Sequence, residues 1–339
     1  MTNTGRKGSS RKSQQQDSFY FTELTLKDLE YQNLDAITKI KLFFYDKEAG
    51  TIFGKSPLRW GRFLLFYLIF YSILAAMSLC LWWIFSLTLN PRTPRHLTSD
   101  SLIGTNPGLG FRPLPSSENV LSSLIWYQGT KNESFFFWTK SLKDFLEVYK
   151  RPGLTPGRGQ NIYNCDFDRP PKPGQVCDVD VKLLAPCTEE NYFMYHQSSP
   201  CVLLKLNKIY GWRPDFYKDP KELPADMPKH LRERITHLAK SPNPTDQAKL
   251  NTVWVSCKGE SPADAEFIGV VDYHPMEGFP GFFFPYENSE GYLSPLVAVH
   301  FKRPKPGVLI NIECRAWAKN ILYRHKDKQG SVHFELMID

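Results

Sequence analysis

FLLFYLIFYSILAAMSLCLWWIFSLTL, residues 63–89, contains no charge, proline or glycine. About 20 apolar residues cross the hydrocarbon core of a bilayer, so this run spans with residues to spare and is expected to tilt or to sit in a thick membrane. Nothing else in the 339 residues resembles it. A cleaved signal peptide has a shorter apolar stretch, placed at the N-terminus ahead of a small-residue cleavage site. Here 62 residues come first, and the run reads as an uncleaved signal anchor.

The flanks give a direction. Lys47, Lys55, Arg59 and Arg62 crowd the N-terminal side against Arg92 and Arg95 beyond the other end, which favours an N-terminus inside. Trp60 at one edge and Trp82 and Trp83 near the other suit interfacial belts without setting direction. Covalent chemistry agrees: six of the seven cysteines follow the run, as does Asn132-Glu133-Ser134, the sole N-x-S/T sequon with a permitted middle residue. Disulfides and N-glycans belong to the lumenal or extracellular side, so residues 90–339 are expected outside. Cys80 falls within the span and reads as a free thiol.

Charge is spread unevenly. Residues 1–62 carry eleven Lys or Arg against seven Asp or Glu, and residues beyond 89 carry thirty-one against twenty-eight. So nearly neutral a domain argues against nucleic acid as a partner, while a mildly basic tail suits the cytosolic leaflet. The tail opens TNTGRKGSSRKSQQQDS, polar and low in complexity, and its first ~18 residues are expected to be disordered. Ser9 and Ser13 each follow a basic pair, a pattern that short basic sequences produce by chance. Apolar residues around Leu34–Tyr45 are expected to lie against the membrane or a partner.

Four regions follow: a cytoplasmic tail (1–62), the membrane helix (63–89), a Pro-, Ser- and Gly-punctuated stalk (90–119) and a disulfide-bonded outer domain (120–339). Helical periodicity places Leu142, Phe145, Leu146 and Tyr149 on one face, and a second helix is expected over 228–240. From residue 251 the pattern becomes NTVWVSC, EFIGVVDY, GFFFPY, PLVAVHF, VLINIECRAW and SVHFELMI, short β-branched and aromatic runs split by Gly, Pro or Asn. With PCVLLKLNKIYGW upstream, these predict a mainly-β domain: an immunoglobulin-like antiparallel β-sandwich with helices inserted on one side.

Cys165, Cys177, Cys187, Cys201, Cys257 and Cys314 form an even set with fifteen possible pairings. None has the CxxC spacing of a zinc site, and no metal or other cofactor is expected. GTIFGKS (50–56) is one residue short of a phosphate-binding loop and lacks its βα context. HExxH and GxSxG are both missing from the sequence. Asp166/Asp168 and Asp178/Asp180 each make a DxD pair, as in type II Golgi glycosyltransferases that hold a divalent cation against a nucleotide sugar. The domain lacks the βα alternation such a fold needs, and the enzyme reading is the weaker one. A free-standing adhesion glycoprotein is a second alternative.

FYLIFY (66–71) and the small residues after it resemble the transmembrane signature of the β subunits of Na,K- and H,K-ATPases. Tyr67 and Tyr71 are four apart and share a helical face that Ala75 and Ser78 continue. Small residues beside aromatics permit close approach of another helix. PCVLLKLNKIYGWRP (200–214), VWVSCKG (253–259), GFPGFFFPYENSEGYLSPLVAVHF (278–301) and ECRAWAKNI (313–321) resemble the same family in order and relative spacing. The resemblance implies sequential disulfides (Cys165–Cys177, Cys187–Cys201, Cys257–Cys314), a glycan on Asn132, and Tyr67, Tyr71, Ala75 and Ser78 against a partner helix. It implies a non-catalytic subunit at the plasma membrane. Its partner is a catalytic α subunit, with a small single-span regulatory subunit as a further one, and it assists folding and delivery of the pump and tunes potassium handling. A short first disulfide loop, Ser72 and Ala76 where glycine is common, and the single sequon point to an invertebrate-type member closer to sodium-pump than to proton-pump subunits.

Overall fold

The structure, a computed structural model, describes residues 35–47, 50–115, 122–151 and 161–339. The tail with Ser9 and Ser13 lies outside them. Two compact units divide at Leu89/Asn90.

In the first unit, helix α1 (Ala36–Phe44) leads into a hairpin of two-residue strands, β1 (Tyr45–Asp46) and β2 (Thr51–Ile52), and then into helix α2 (Pro57–Leu87). GTIFGKS therefore forms the hairpin and the turn after it, with Gly50 and Gly54 at positive φ, where a side chain would be strained. Helix α2 starts six residues before the uncharged run because Ser56-Pro57 is a start signal: proline at the first helical position has no amide to leave unpaired. At 31 residues it is about 46 Å long, against about 30 Å of hydrocarbon. It is the one helix among the described residues long and apolar enough to cross a membrane, and none of its residues is buried.

The second unit is built on two sheets. Strands β3 (Leu109–Arg112), β7 (Cys201–Leu206), β11 (Leu296–Lys302) and β9 (Val270–His274) form an antiparallel sheet in that order. The other has the order β10 (Gly278–Pro280), β8 (Thr252–Gly259), β12 (Ile310–Trp317), β13 (Ser331–Ile338) and β4 (Leu124–Tyr127). It is antiparallel except for β4, which runs parallel to β13. The sheets share one core. Phe334 of β13 stacks on Phe111 of β3, ring centres 4.9 Å apart, and meets Phe301 of β11 edge-on at 6.0 Å. A short parallel pair, β5 (Ile162–Tyr163) and β6 (Val176–Cys177), stands apart.

Helices cover both outer faces, where the sequence predicted one. Helix α3 (Asn132–Lys150) buries Leu142, Leu146 and Tyr149 and sets Phe145 beneath Arg112 and Lys205 of the four-stranded sheet. Helix α4 (Lys229–Lys240) buries Leu231 and Ile235 in a second cluster with Trp254 and Trp317 of the five-stranded sheet. A strand covered on both faces carries apolar residues without alternation. Hence CVLLKL of β7 and TVWVSC of β8 read as continuous runs.

Three further expectations are corrected. Leu109–Arg112, within the stretch read as stalk, is an edge strand that turns Leu109 and Phe111 into the core. EFIGVVDY opens on the end of a helix, because Ser261 and Asp264 form a capping box over helix α6 (Pro262–Phe267) and Gly269, at φ +74°, turns the chain into β9. A short helix, α5 (Pro244–Ala248), precedes β8. GFFFPY forms a 3₁₀ turn over Gly281–Phe283 between Pro280 and Pro285, neither of which has an amide for a sheet ladder.

Candidate functional site

Tyr67 and Tyr71 stack one helical turn apart, ring centres 5.9 Å apart. The stack continues downward: Phe63 lies 4.5 Å from Tyr67, Trp60 lies 5.6 Å from Phe63, and Phe53 of the hairpin lies 6.3 Å from Trp60. The indole of Trp60 donates to the Ile52 carbonyl at 2.7 Å, fixing the hairpin to the base of α2. Lys55 sits over the Phe63 ring at 4.9 Å. Above the tyrosines the Ser78 hydroxyl donates to the Leu74 carbonyl at 2.9 Å. That bond hides the polar group inside the helix, so Ala75 and Ser78 present small apolar surface. The sequence placed the two tyrosines together; Phe63 and Trp60, three and four residues apart on the same helix, extend the face by the same rule but were not assigned to it, and Phe53 could not be, since only the hairpin brings it back to the helix.

In the second unit three disulfides join Cys165 to Cys177, Cys187 to Cys201 and Cys257 to Cys314. The last pair are direct neighbours in register on β8 and β12, so it ties two strands of one sheet rather than one sheet to the other. Cys187–Cys201 anchors the start of β7, and Cys165–Cys177 closes the loop before β6. Asn132 is the first residue of α3.

Buried ionisable groups are the signal that sequence reading missed, because nothing in a local pattern marks a charged residue as internal. Glu277 is 3% exposed; His230 and Arg234 of α4 each hold one of its oxygens at 2.8 Å. Burial pushes its carboxyl above the usual range, outweighing the two partners. Glu313, inside β12, accepts from the Tyr323 hydroxyl at 3.0 Å and contacts His325 at 3.1 Å. Burial, with the hydrogen bond to Glu313, raises the Tyr323 phenol to about 12. These groups join α4 and the 318–330 loop to the five-stranded sheet.

Ser199 and His300 meet at 2.8 Å, the one serine–histidine contact among the described residues, and both are buried. The serine hydroxyl donates to the Phe301 carbonyl at 3.0 Å, so it accepts from the imidazole. A serine whose proton is committed to the backbone has no general base poised to remove it. Burial also holds His300 below the usual histidine range.

The DxD carboxylates serve the local backbone. Asp166 accepts from the Phe167 amide at 2.7 Å, Asp178 from Val179 at 2.9 Å and Asp180 from Lys182 at 2.9 Å. Arg169 pairs with Asp166 and Asp168. Among the described residues no three His, Cys, Asp or Glu side chains are grouped to hold a metal.

Comparison with known proteins agrees with this distribution of features. A model of the sodium/potassium ATPase beta chain matches residues 30–334. Sodium/potassium-transporting ATPase subunit beta-2 of Drosophila melanogaster is 58% identical over 300 residues, covering 88% of this chain and 92% of the relative. The beta-1 subunit of the same organism is 40% identical over 299 residues, covering 87% and 91%. Human subunit beta-2 is 27% identical over 315 residues, covering 88% and 93%.

Proposed function

We propose, on the premise that this chain belongs to the sodium/potassium ATPase beta chain family as a β subunit of invertebrate type, that it is the non-catalytic partner of a catalytic α subunit. In this reading α2 spans the plasma membrane once, with residues 1–62 cytoplasmic and the second unit, an immunoglobulin-like sandwich bearing a glycan at Asn132, outside. The observation that carries it is the contrast between a helix with no buried residue and a second unit whose buried carboxylates Glu277 and Glu313 are engaged in holding its own elements together. A helix with a ladder of aromatic and small residues, none of them buried among the described residues, suits a second helix laid along Tyr67, Tyr71, Ala75 and Ser78. Binding of the outer domain to one conformation of a pump alters the transport cycle by the difference in affinity between states, typically about 1–3 kcal/mol.

The chain is expected to assist folding of the α subunit, its exit from the endoplasmic reticulum and its delivery to the surface, and to tune potassium handling. Expression of a matching α subunit with and without this chain tests the proposal. Surface abundance and potassium-activated transport are expected to differ between the two, and equal values in both would refute it.

A further inference from the structure

One face of α4 lines an open groove of about 620 Å³, opposite Pro220 and Leu223. Lys229, Arg232, Thr236 and Lys240 recur at three- and four-residue steps and so form one stripe along the helix, with His237 beside it. The groove contains a single carboxylate, Glu233, which lies 3.8 Å from Lys229 one turn away. Arg232 and Lys240 form no ion pair among the described residues. The Arg232 Nε is buried without a hydrogen-bond acceptor, and the neighbouring Thr236 hydroxyl donates to the Arg232 carbonyl at 2.7 Å. Two residues along, on the far side of the helix, Arg234 has its acceptor in Glu277 at 2.8 Å. Arg232 itself is only half-buried and lines the groove, so an anion there reaches the outer edge of its guanidinium, whose planar fork suits tetrahedral oxyanions.

The stripe from Lys229 to Lys240 is about 16 Å long, which fits several anionic groups in a row better than one. We propose that this groove binds a linear sulfated polysaccharide, a choice that rests on the outward placement of the second unit argued above. The near balance of charge beyond residue 89, thirty-one basic against twenty-eight acidic residues, makes this a local site rather than a generally basic surface.

Binding of a heparin-derived oligosaccharide to the detergent-solubilised full chain, compared with the doubly substituted R232Q/K240Q, is the test. The expected result is a loss of about tenfold in affinity, with binding unchanged in K258Q/K326Q, which removes the same charge from exposed lysines elsewhere. The desulfated oligosaccharide is expected not to bind. Equal losses in both variants, or no binding by the unaltered chain, would overturn the proposal. Displacement by inorganic sulfate at matched sulfate concentration would instead assign the groove to small anions. Binding is read without the pump, so its failure leaves the subunit reading standing. Protease protection of residues 90–339 in sealed vesicles tests the outward placement separately.

Discussion

Strand β8 and helix α2 are both rich in apolar and aromatic residues, but seven of the eight β8 residues are buried and none of the 31 in α2 is. The strand finds its cover inside the chain, from the facing sheet on one side and α4 on the other. Among the described residues nothing buries the helix, and an apolar surface of that length is satisfied by lipid or another helix. The second unit therefore stabilises itself through its own cross-links and buried contacts, whereas the position of α2 is decided by what surrounds it. Substitutions in the two regions should fail in different ways, one by unfolding and the other by loosening an assembly.

The largest effect is expected in the second unit. Cys257 and Cys314 close a loop with a sequence separation of 57, against 12 and 14 for the other two disulfides. In the chain-entropy account the long loop contributes about 4 kcal/mol and the short ones about 3 each. Replacing Cys257 and Cys314 together by serine is expected to lower stability by that amount and retain the chain in the endoplasmic reticulum. Surface biotinylation with a denaturant melt of the purified chain measures both. Normal delivery and an unchanged melt would mean the β8–β12 pairing stands without its cross-link.

An intermediate effect is expected at Asp264, where one carboxylate caps α6 and binds β12. It accepts from the Ser261 hydroxyl at 2.6 Å, the Ser261 amide at 3.1 Å and the Asn311 amide at 3.0 Å. Burial pushes this carboxyl upward, but the hydrogen bonds from Ser261 and Asn311 outweigh it and hold it below the usual range. A depressed folded-state value gives stability that is present above the unfolded value, about 3.9, and lost as pH falls through the folded one. Asp264→Asn is expected to cost about 1–2 kcal/mol at neutral pH. The gap from the unaltered chain should close in acid, below about pH 4. A gap that stays constant on thermal melts from pH 7 to pH 3 would remove the carboxylate charge from the account.

The smallest effect, and the one that separates the two regions most sharply, is expected from Tyr67→Leu with Tyr71→Leu. Each ring is worth on the order of 1 kcal/mol against a partner helix. The fraction co-eluting with the α subunit in mild detergent should fall while the melt of the outer domain stays where it was. Unchanged co-elution and unchanged potassium activation would give the face to lipid.

Legibility followed the range of the interactions. The Tyr67–Tyr71 stack was readable because residues four apart on a helix are neighbours whatever else the chain does, and Phe63 and Trp60 extend it by the same rule, while the last contact, with Phe53, required the hairpin to fold back. Strand β4 pairs with β13, more than two hundred residues away, and β3 with β7. Four-residue strands in Pro-, Ser- and Gly-rich surroundings carry too little pattern to announce themselves.

The sequence by itself determined the long apolar helix, the even set of six cysteines beyond it, the β-rich character of the second unit and the family resemblance, because composition, spacing and short-range periodicity are properties of the chain before it folds. Tertiary structure alone decided which strands meet, that helices cover both outer faces, that Glu277 and Glu313 lie inside with α4 and the 318–330 loop as their partners, and that Arg232 is left facing a groove without one. Each of these depends on segments far apart in the chain arriving at the same place, where burial sets what a charge or a ring is worth.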